Sequence, residues 1–188
     1  EQDLIPATLI RRYKRFLADV RLEDGSTLTV HCPNSGSMKT CLGERWPVLL
    51  SDSRNPKRKL RYTWEMVHNG SCWIGINTHR ANELAAEAIS KCVIPKLAGY
   101  AVMRREVRYG QNSRIDVLLE SERTNCYVEV KNVTLLRDAG VAAFPDAVSQ
   151  RGSKHLRELT GLMRQGYRAV LLFCVQRADA EVVEPARD

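Results

Sequence analysis

Hydrophobic and polar residues alternate in short runs through the first third of the chain, which predicts β-strands separated by turns. The predicted strands cover residues 7–10, 16–22, 27–32, 46–50 and 60–66. Asp24-Gly25 is a typical hairpin turn, and residues 33–39 form a loop rich in small side chains. Five short strands within about 65 residues indicate a small β-barrel of the OB type.

Helical spacing of apolar residues appears only after Ser71. It predicts one helix from Ala81 to Cys92, after an Asn77-Thr78 cap, and a second from Pro145 to about Gln165. Strands are predicted over residues 103–109, 114–120, 126–131 and 168–175, and a loop over 135–144. The order helix, three strands, helix, strand predicts a mixed α/β (α+β) chain with two domains, residues 1–70 and 71–188.

Composition favours a cytoplasmic, nucleic-acid-binding protein. The chain lacks both an apolar run near the ~20 residues of a membrane span and a basic-then-apolar start. Its six cysteines are scattered without a C-x-x-C pair, which favours buried thiols in a reducing compartment. A net charge of +7 points to an anionic partner, most simply DNA.

Three charged residues interrupt the apolar strand pattern of the predicted hairpin between 114 and 131. Asp116 lies in its first arm, and Glu129 and Lys131, two residues apart, share one face of the second. If Asp116 pairs near Glu129, the two carboxylates suit a hard cation, Mg²⁺ or Mn²⁺, and the lysine can orient or deprotonate a water. This arrangement favours phosphodiester hydrolysis at a cluster open to solvent. An internal ion pair on the wet face of a hairpin is the alternative.

Two basic and aromatic runs in the predicted barrel are candidates for phosphate contact. One contains Arg12, Lys14 and Arg15 around Tyr13, and the other contains Lys57 and Arg58 shortly before Tyr62. Such mixtures are typical of OB-type nucleic-acid interfaces. A solvated surface would give the same pattern.

The helix and strand order, with Asp116 on one strand and Glu129-Val130-Lys131 on the next, resembles that of restriction-endonuclease-like nucleases. The runs 10–20, 31–38, 113–116, 127–131 and 144–159 resemble, more specifically, the bacterial sugar fermentation stimulation protein A family. The resemblance implies an OB-like domain followed by a restriction-endonuclease-like αβββαβ domain, DNA binding, and a link to regulating sugar utilisation, notably of maltose. It also implies a further C-terminal helix and strand, which are absent after Pro185.

The resemblance to these nucleases also suggests further site residues. Superfamily members often add a carboxylate from the first helix, which leaves Glu83 or Glu87 as a third metal ligand. Glu87 is the better candidate, because it lies about 60° around the helix from the apolar Leu84; a solvent-facing charge is the alternative. Independently of the resemblance, Arg114 is a candidate for phosphate contact because it lies two residues before Asp116 on the same face of the strand. On the second helix Arg151 and Lys154 are candidates for phosphate contact, whereas His155 also suits a hydrogen-bonded core position. Two functions remain open: a metal-dependent DNA nuclease, and a non-catalytic DNA-binding regulator of sugar (maltose) utilisation.

Overall fold

The computed structural model describes residues 3–110, 113–145 and 150–186. In chain order its elements are β1 (Ile5–Tyr13), β2 (Leu17–Leu22), β3 (Thr27–His31), β4 (Pro47–Asp52), β5 (Tyr62–His68), β6 (Trp73–Gly75), α1 (Thr78–Ser90), a 3₁₀ turn (Pro95–Leu97), β7 (Val102–Tyr109), β8 (Ser113–Glu120), β9 (Cys126–Val133), β10 (Leu135–Asp138), β11 (Gly140–Phe144), α2 (Gln150–Arg164), β12 (Arg168–Val175) and β13 (Ala180–Pro185). No helix among the described residues is both long and apolar enough to span a bilayer.

The chain divides into two compact units, and the division is not continuous in sequence. The first unit comprises Glu1–His79, Val133–Ala147 and Val175–Asp188, and the second comprises Arg80–Asn132 and Val148–Cys174. The contacts therefore differ from a single division at residue 70, because β6 and two later segments belong with the barrel.

A closed barrel forms the centre of the first unit. Its strands lie in the order β3-β2-β1-β4-β5-β6, and parallel pairing of His31 with Thr63 joins β3 to β5 and closes the ring. Alternate strand positions fill the interior, as with Val20, Val48 and Trp64, none of which is accessible to solvent. The predicted OB-like barrel and the mixed α/β class are confirmed.

The later segments of the first unit form a small sheet in the order β10-β11-β13. The prediction of a loop over residues 135–144 was wrong, because Gly140 adopts a positive φ of 75° and allows β10 to turn directly into β11. Thr40 anchors β10, since its hydroxyl oxygen accepts a hydrogen bond from Leu136 N at 3.0 Å. Strand β13 was not predicted.

The second unit is a four-stranded sheet, in the order β12-β9-β8-β7, with a helix against each face. Ala81 and Ala85 of α1 pack with Val130 of β9, whereas Leu159 of α2 packs in a cluster with Tyr127. Positions 127 and 130 differ in parity and therefore face opposite sides of the strand. The predicted order of helix, three strands, helix and strand is present, with β10 and β11 inserted before α2.

Candidate functional site

The β8–β9 hairpin brings Asp116 and Glu129 close together. Its paired residues end at Val117 and Val128, and Asp116 and Glu129 are the next residue on each strand. Beyond the last pair, the Asp116 carboxylate accepts a hydrogen bond from Val130 N at 2.7 Å. Its other oxygen accepts one from the side-chain amide of Asn82, on α1, also at 2.7 Å. Backbone and helix together fix the Asp116 side chain.

The environment of Asp116 disfavours its ionised form. Partial burial raises the pKa of Asp116, and the negative charges of Glu129 and Glu106 raise it further. The hydrogen bonds from Val130 N–H and Asn82 act in the opposite direction. A nearby cation would relieve both the burial and the repulsion, since it favours the carboxylate.

Glu129 is buried, with only 3% of its surface exposed, so the cluster is less open than predicted. One carboxylate oxygen, Oε1, accepts a hydrogen bond from Lys131 Nζ at 2.7 Å and contacts His155 Nδ1 of α2. The other oxygen, Oε2, is buried and has no hydrogen-bond partner within the described residues. A buried carboxylate oxygen without a donor is costly, and such an atom is expected to meet a cation, a proton or a water.

The two carboxylates receive their support from opposite faces of the sheet. Asn82 reaches Asp116 from α1, and His155 reaches Glu129 from α2. The carboxylates are nevertheless close enough for the charge of Glu129 to raise the pKa of Asp116. They lie at one point of the sheet and are held from both sides.

Tyr109 and Glu158 adjoin this cluster, and sequence analysis missed both. The Tyr109 hydroxyl and Glu158 Oε2 are also buried, and they interact with each other and with no further described residue at hydrogen-bond geometry. Burial raises the pKa of Tyr109, and the charges of Glu129 and Glu158 add to that effect. Glu158 follows His155 by three residues on α2, a spacing that places both on one helix face but gives no indication of their partners.

Glu87, the predicted third ligand, lies on the exposed side of α1 in an ion pair with Lys91. The buried stripe of α1 includes Ala81, Ala85 and Ile89, whereas Leu84, from which the position of Glu87 was judged, is 47% exposed. At about 100° per residue, Glu87 is rotated about 200° from Ala85. The described residues contain no group of three His, Cys, Asp or Glu side chains arranged to hold a metal.

A two-carboxylate set still fits a hard divalent cation. Mg²⁺ is commonly held by one or two carboxylates and retains several waters. Asp116 and Glu129 supply these two groups, and the unpartnered Glu129 Oε2 is the oxygen that such an ion would satisfy. The contribution of α1 to this site is the amide of Asn82, not a carboxylate.

The predicted basic residues of the barrel differ in exposure and in the hydrogen bonds that their side chains form. Lys14 and Arg15 are exposed at the β1–β2 turn, beside Phe16, whose side chain is 49% exposed. Arg12 instead braces the loop after β3, donating hydrogen bonds to the carbonyl oxygens of Asn34 at 2.8 Å and Gly36 at 3.0 Å.

The second basic run and the basic residues of the second unit complete the predicted set. Lys57 and Arg58 are exposed, and Arg58 donates a hydrogen bond to Thr63 Oγ1 at 3.1 Å. Arg114 on β8 and Lys154 on α2 are also exposed. The side chain of Arg151 lies outside the described set.

Comparisons with known proteins agree across nearly the whole chain. A family model described as "SfsA N-terminal OB domain" matches residues 10–76, and one described as "Sugar fermentation stimulation protein RE domain" matches residues 79–188. The sugar fermentation stimulation protein homolog of Geotalea uraniireducens is 60% identical over 97% of this chain and 79% of its own length. The homolog of Pelobacter propionicus is 58% identical over the same shares.

A solved structure gives the same result for the fold. The structure of SfsA from Pyrococcus furiosus in complex with Ca²⁺ superposes with a TM-score of 0.86 and 27% sequence identity. The match covers 97% of this chain and 77% of that protein.

Proposed function

The chain belongs to the sugar fermentation stimulation protein family, and we propose that it binds DNA and hydrolyses phosphodiester bonds at a divalent-cation site formed by Asp116 and Glu129. The observation that carries this proposal is the pair of neighbouring carboxylates, with Lys131 at 2.7 Å from Glu129 and one Glu129 oxygen left without a partner in the described residues. A protein that only bound the phosphate backbone would gain nothing from carboxylates here, because they repel phosphate.

Cation binding is supported by the donor set and by a relative. Two neighbouring carboxylates suit Mg²⁺ or Mn²⁺, and the Pyrococcus furiosus relative was solved in complex with Ca²⁺, another hard cation that takes oxygen ligands. When bound, such an ion lowers the pKa of a coordinated water and stabilises charge on a phosphoryl oxygen.

Each protein group then has a separate task. Val130 N–H and Asn82 hold the Asp116 carboxylate in one orientation, and His155 holds Oε1 of Glu129. The Lys131 ammonium has three donors. One reaches Glu129, so the others can orient a water or a phosphate oxygen.

DNA binding by the same chain is supported by its charge. The net charge is +7, and exposed cations occur on both units. On the barrel, Lys14 and Arg15 directly precede the exposed Phe16, a combination that suits phosphate contact together with base stacking.

A second function is a DNA-binding regulator of sugar utilisation that does not cut DNA. It is favoured by the names of the curated relatives and by the lack of a three-ligand group among the described residues. Asp116 and Glu129 would then be structural, each held by its hydrogen bonds.

A paired measurement on the parent and the Asp116→Asn variant separates these functions. We expect the parent to cleave single-stranded, duplex or branched DNA with Mg²⁺ or Mn²⁺, and the variant to lose cleavage because the ion loses a charged ligand. Binding in chelator should persist or improve in the variant, because repulsion of phosphate falls. Glu122→Gln, which removes an exposed carboxylate from the turn of the same hairpin, is the control and should cut normally.

Each contrary result has a defined meaning. A parent that cuts none of these DNA forms with either ion rules out the nuclease and leaves the regulator. Equal cleavage by the parent and Asp116→Asn would show that the nuclease uses other residues.

A further inference from the structure

Two arginines face each other across the β7–β8 pair, near the acidic cluster. Arg108 lies directly opposite Arg114, and both side chains are exposed. Within the ranges that the structure describes, neither side chain forms an ion pair or a hydrogen bond. Like charges directly opposite one another destabilise an antiparallel pair. An anion bound between the two guanidinium groups would relieve this repulsion.

At the other end of the same two strands, an exposed arginine is paired with a carboxylate. Arg104 of β7 lies 3.5 Å from the carboxylate of Glu120 on β8. Some exposed arginines on other elements are also paired, as Arg11 is with Asp19 and Arg61 with Asp52. The β7–β8 pair thus has an ion pair at its Glu120 end and two facing arginines without one at its Arg114 end.

The Arg114 end is the end next to the site. Arg114 precedes Asp116 by two residues on β8, a distance of about 6.6 Å along a strand. Guanidinium groups bind phosphate through pairs of parallel N–H donors, and two of them on facing strands can hold one phosphate from both sides.

We propose that Arg108 and Arg114 form a binding site for one phosphate of the nucleic-acid backbone, beside the Asp116–Glu129 cluster. The inference rests on the proposed function, since it takes the bound polymer to be DNA. Arg114 was a candidate from sequence because it precedes Asp116, whereas Arg108 becomes one only through the β7–β8 register.

The test is DNA binding in chelator, where no cleavage occurs. Arg108→Gln, Arg114→Gln and the double variant are compared with Arg104→Gln, which removes an exposed arginine from the same strand. If the two arginines share one phosphate, the double variant should lower the slope of log affinity against log salt by about 0.9, and each single variant, which leaves one arginine on that phosphate, should lower it by clearly less. Arg104→Gln should leave the slope within error of the parent.

Replacing both arginines by lysine provides a second readout. The charges remain, so the salt slope should be kept, but the paired donors are removed and affinity at fixed salt should fall several-fold. Thermal unfolding should show the double Gln variant to be at least as stable as the parent, because the repulsion between the two guanidinium groups is removed.

The inference would be overturned by a double Gln variant that binds with the slope and affinity of the parent, or by an equal loss in Arg104→Gln. A slope reduced by about 1.8 in the double variant would indicate two separate phosphate contacts and also contradict a shared site. Failure of the proposed function can be distinguished from these outcomes by measuring cleavage and binding separately. A parent that binds DNA but never cleaves it leaves this test intact, whereas a parent that does not bind DNA removes its premise.

Discussion

At the scale of single residues, the state of Glu129 determines what the site can do. Its Oε1 atom is held by Lys131 and His155, and its Oε2 atom is buried without a donor among the described residues. The carboxylate is therefore fixed by hydrogen bonds at Oε1, whereas Oε2 can still accept a hydrogen bond or bind a cation. His155 is therefore a positioning residue for Glu129.

Replacing His155 tests this positioning role. In His155→Leu, Glu129 loses a buried hydrogen bond to a charged group, and the free energy of unfolding should fall by about 1.5–3 kcal/mol. His155→Gln retains a donor and should recover part of the loss. Binding of Mg²⁺ or Mn²⁺, measured by calorimetry, should weaken in His155→Leu more than in His155→Gln. Equal cation affinity in both variants and the parent would show that His155 only fills space.

Sequence could identify the strand charges of this site but not their partners. Asp116, Glu129 and Lys131 stand out because charges are rare among apolar strand residues. Asn82 and His155 have no such signal, since polar residues at the edge of a helix stripe are common. The orientation of α1 was also judged from Leu84, an exposed leucine, so Glu87 was expected at the site where Asn82 lies.

At the scale of elements, a buried arginine fixes the segment between β12 and β13 in the first unit. The side chain of Arg177 is 1% exposed and donates hydrogen bonds to Asp179, to Thr40 Oγ1 and to the carbonyl oxygen of Thr134. One residue thus joins three segments that are distant in sequence. The hydrogen bonds and charge of Arg177 hold the pKa of Asp179 well below its usual range, despite the opposing effect of partial burial.

Asp179→Asn should be strongly destabilising, by about 3–5 kcal/mol at neutral pH, because it leaves the charge of a buried arginine without its partner. The pKa of Asp179 is lowered by folding, so its contribution is present above the unfolded value of about 3.9 and is lost as pH falls below it. The difference in unfolding free energy between parent and variant should therefore shrink in acid.

Chemical denaturation at several pH values measures this effect. Asp138→Asn, which removes one of the two carboxylate partners of the less buried Arg137, is the control and should cost at most about 1 kcal/mol. A difference between parent and Asp179→Asn that stays constant from neutral pH to pH 3 would contradict the ionic role.

Elements with strong periodicity were predicted from sequence, and short pairings made by distant segments were not. The barrel strands, both helices and β12 follow from alternation, helical spacing and an apolar run. β10 and β11 are four and five residues long, and their order depends on Thr40 and on pairing with β13. Contacts between distant segments leave no pattern of apolar and polar residues in the local sequence.

At the scale of the whole molecule, the resemblance seen in the sequence is confirmed by family models that together span residues 10–76 and 79–188. Each unit carries its own kind of chemistry. The barrel offers exposed cations beside an exposed aromatic ring, and the second unit offers a buried acidic cluster beside two facing arginines. If both units contact one DNA, the salt dependence of binding should contain a separable contribution from each.

The contribution of the barrel can be measured by changing Lys14, Arg15, Lys57 and Arg58 together to glutamine, which lowers the net charge from +7 by four, to +3. Each phosphate that the barrel no longer neutralises should reduce the slope of log affinity against log salt by about 0.9, so a reduction of about two to four is expected. A control variant replaces four exposed cations of the second unit that lie away from its acidic cluster: Lys91, Lys96, Arg123 and Arg164. It reaches the same net charge and should keep nearly the slope of the parent. Equal slopes in both variants would mean that only net charge matters, and an unchanged slope in the barrel variant would show that its cations are merely solvated.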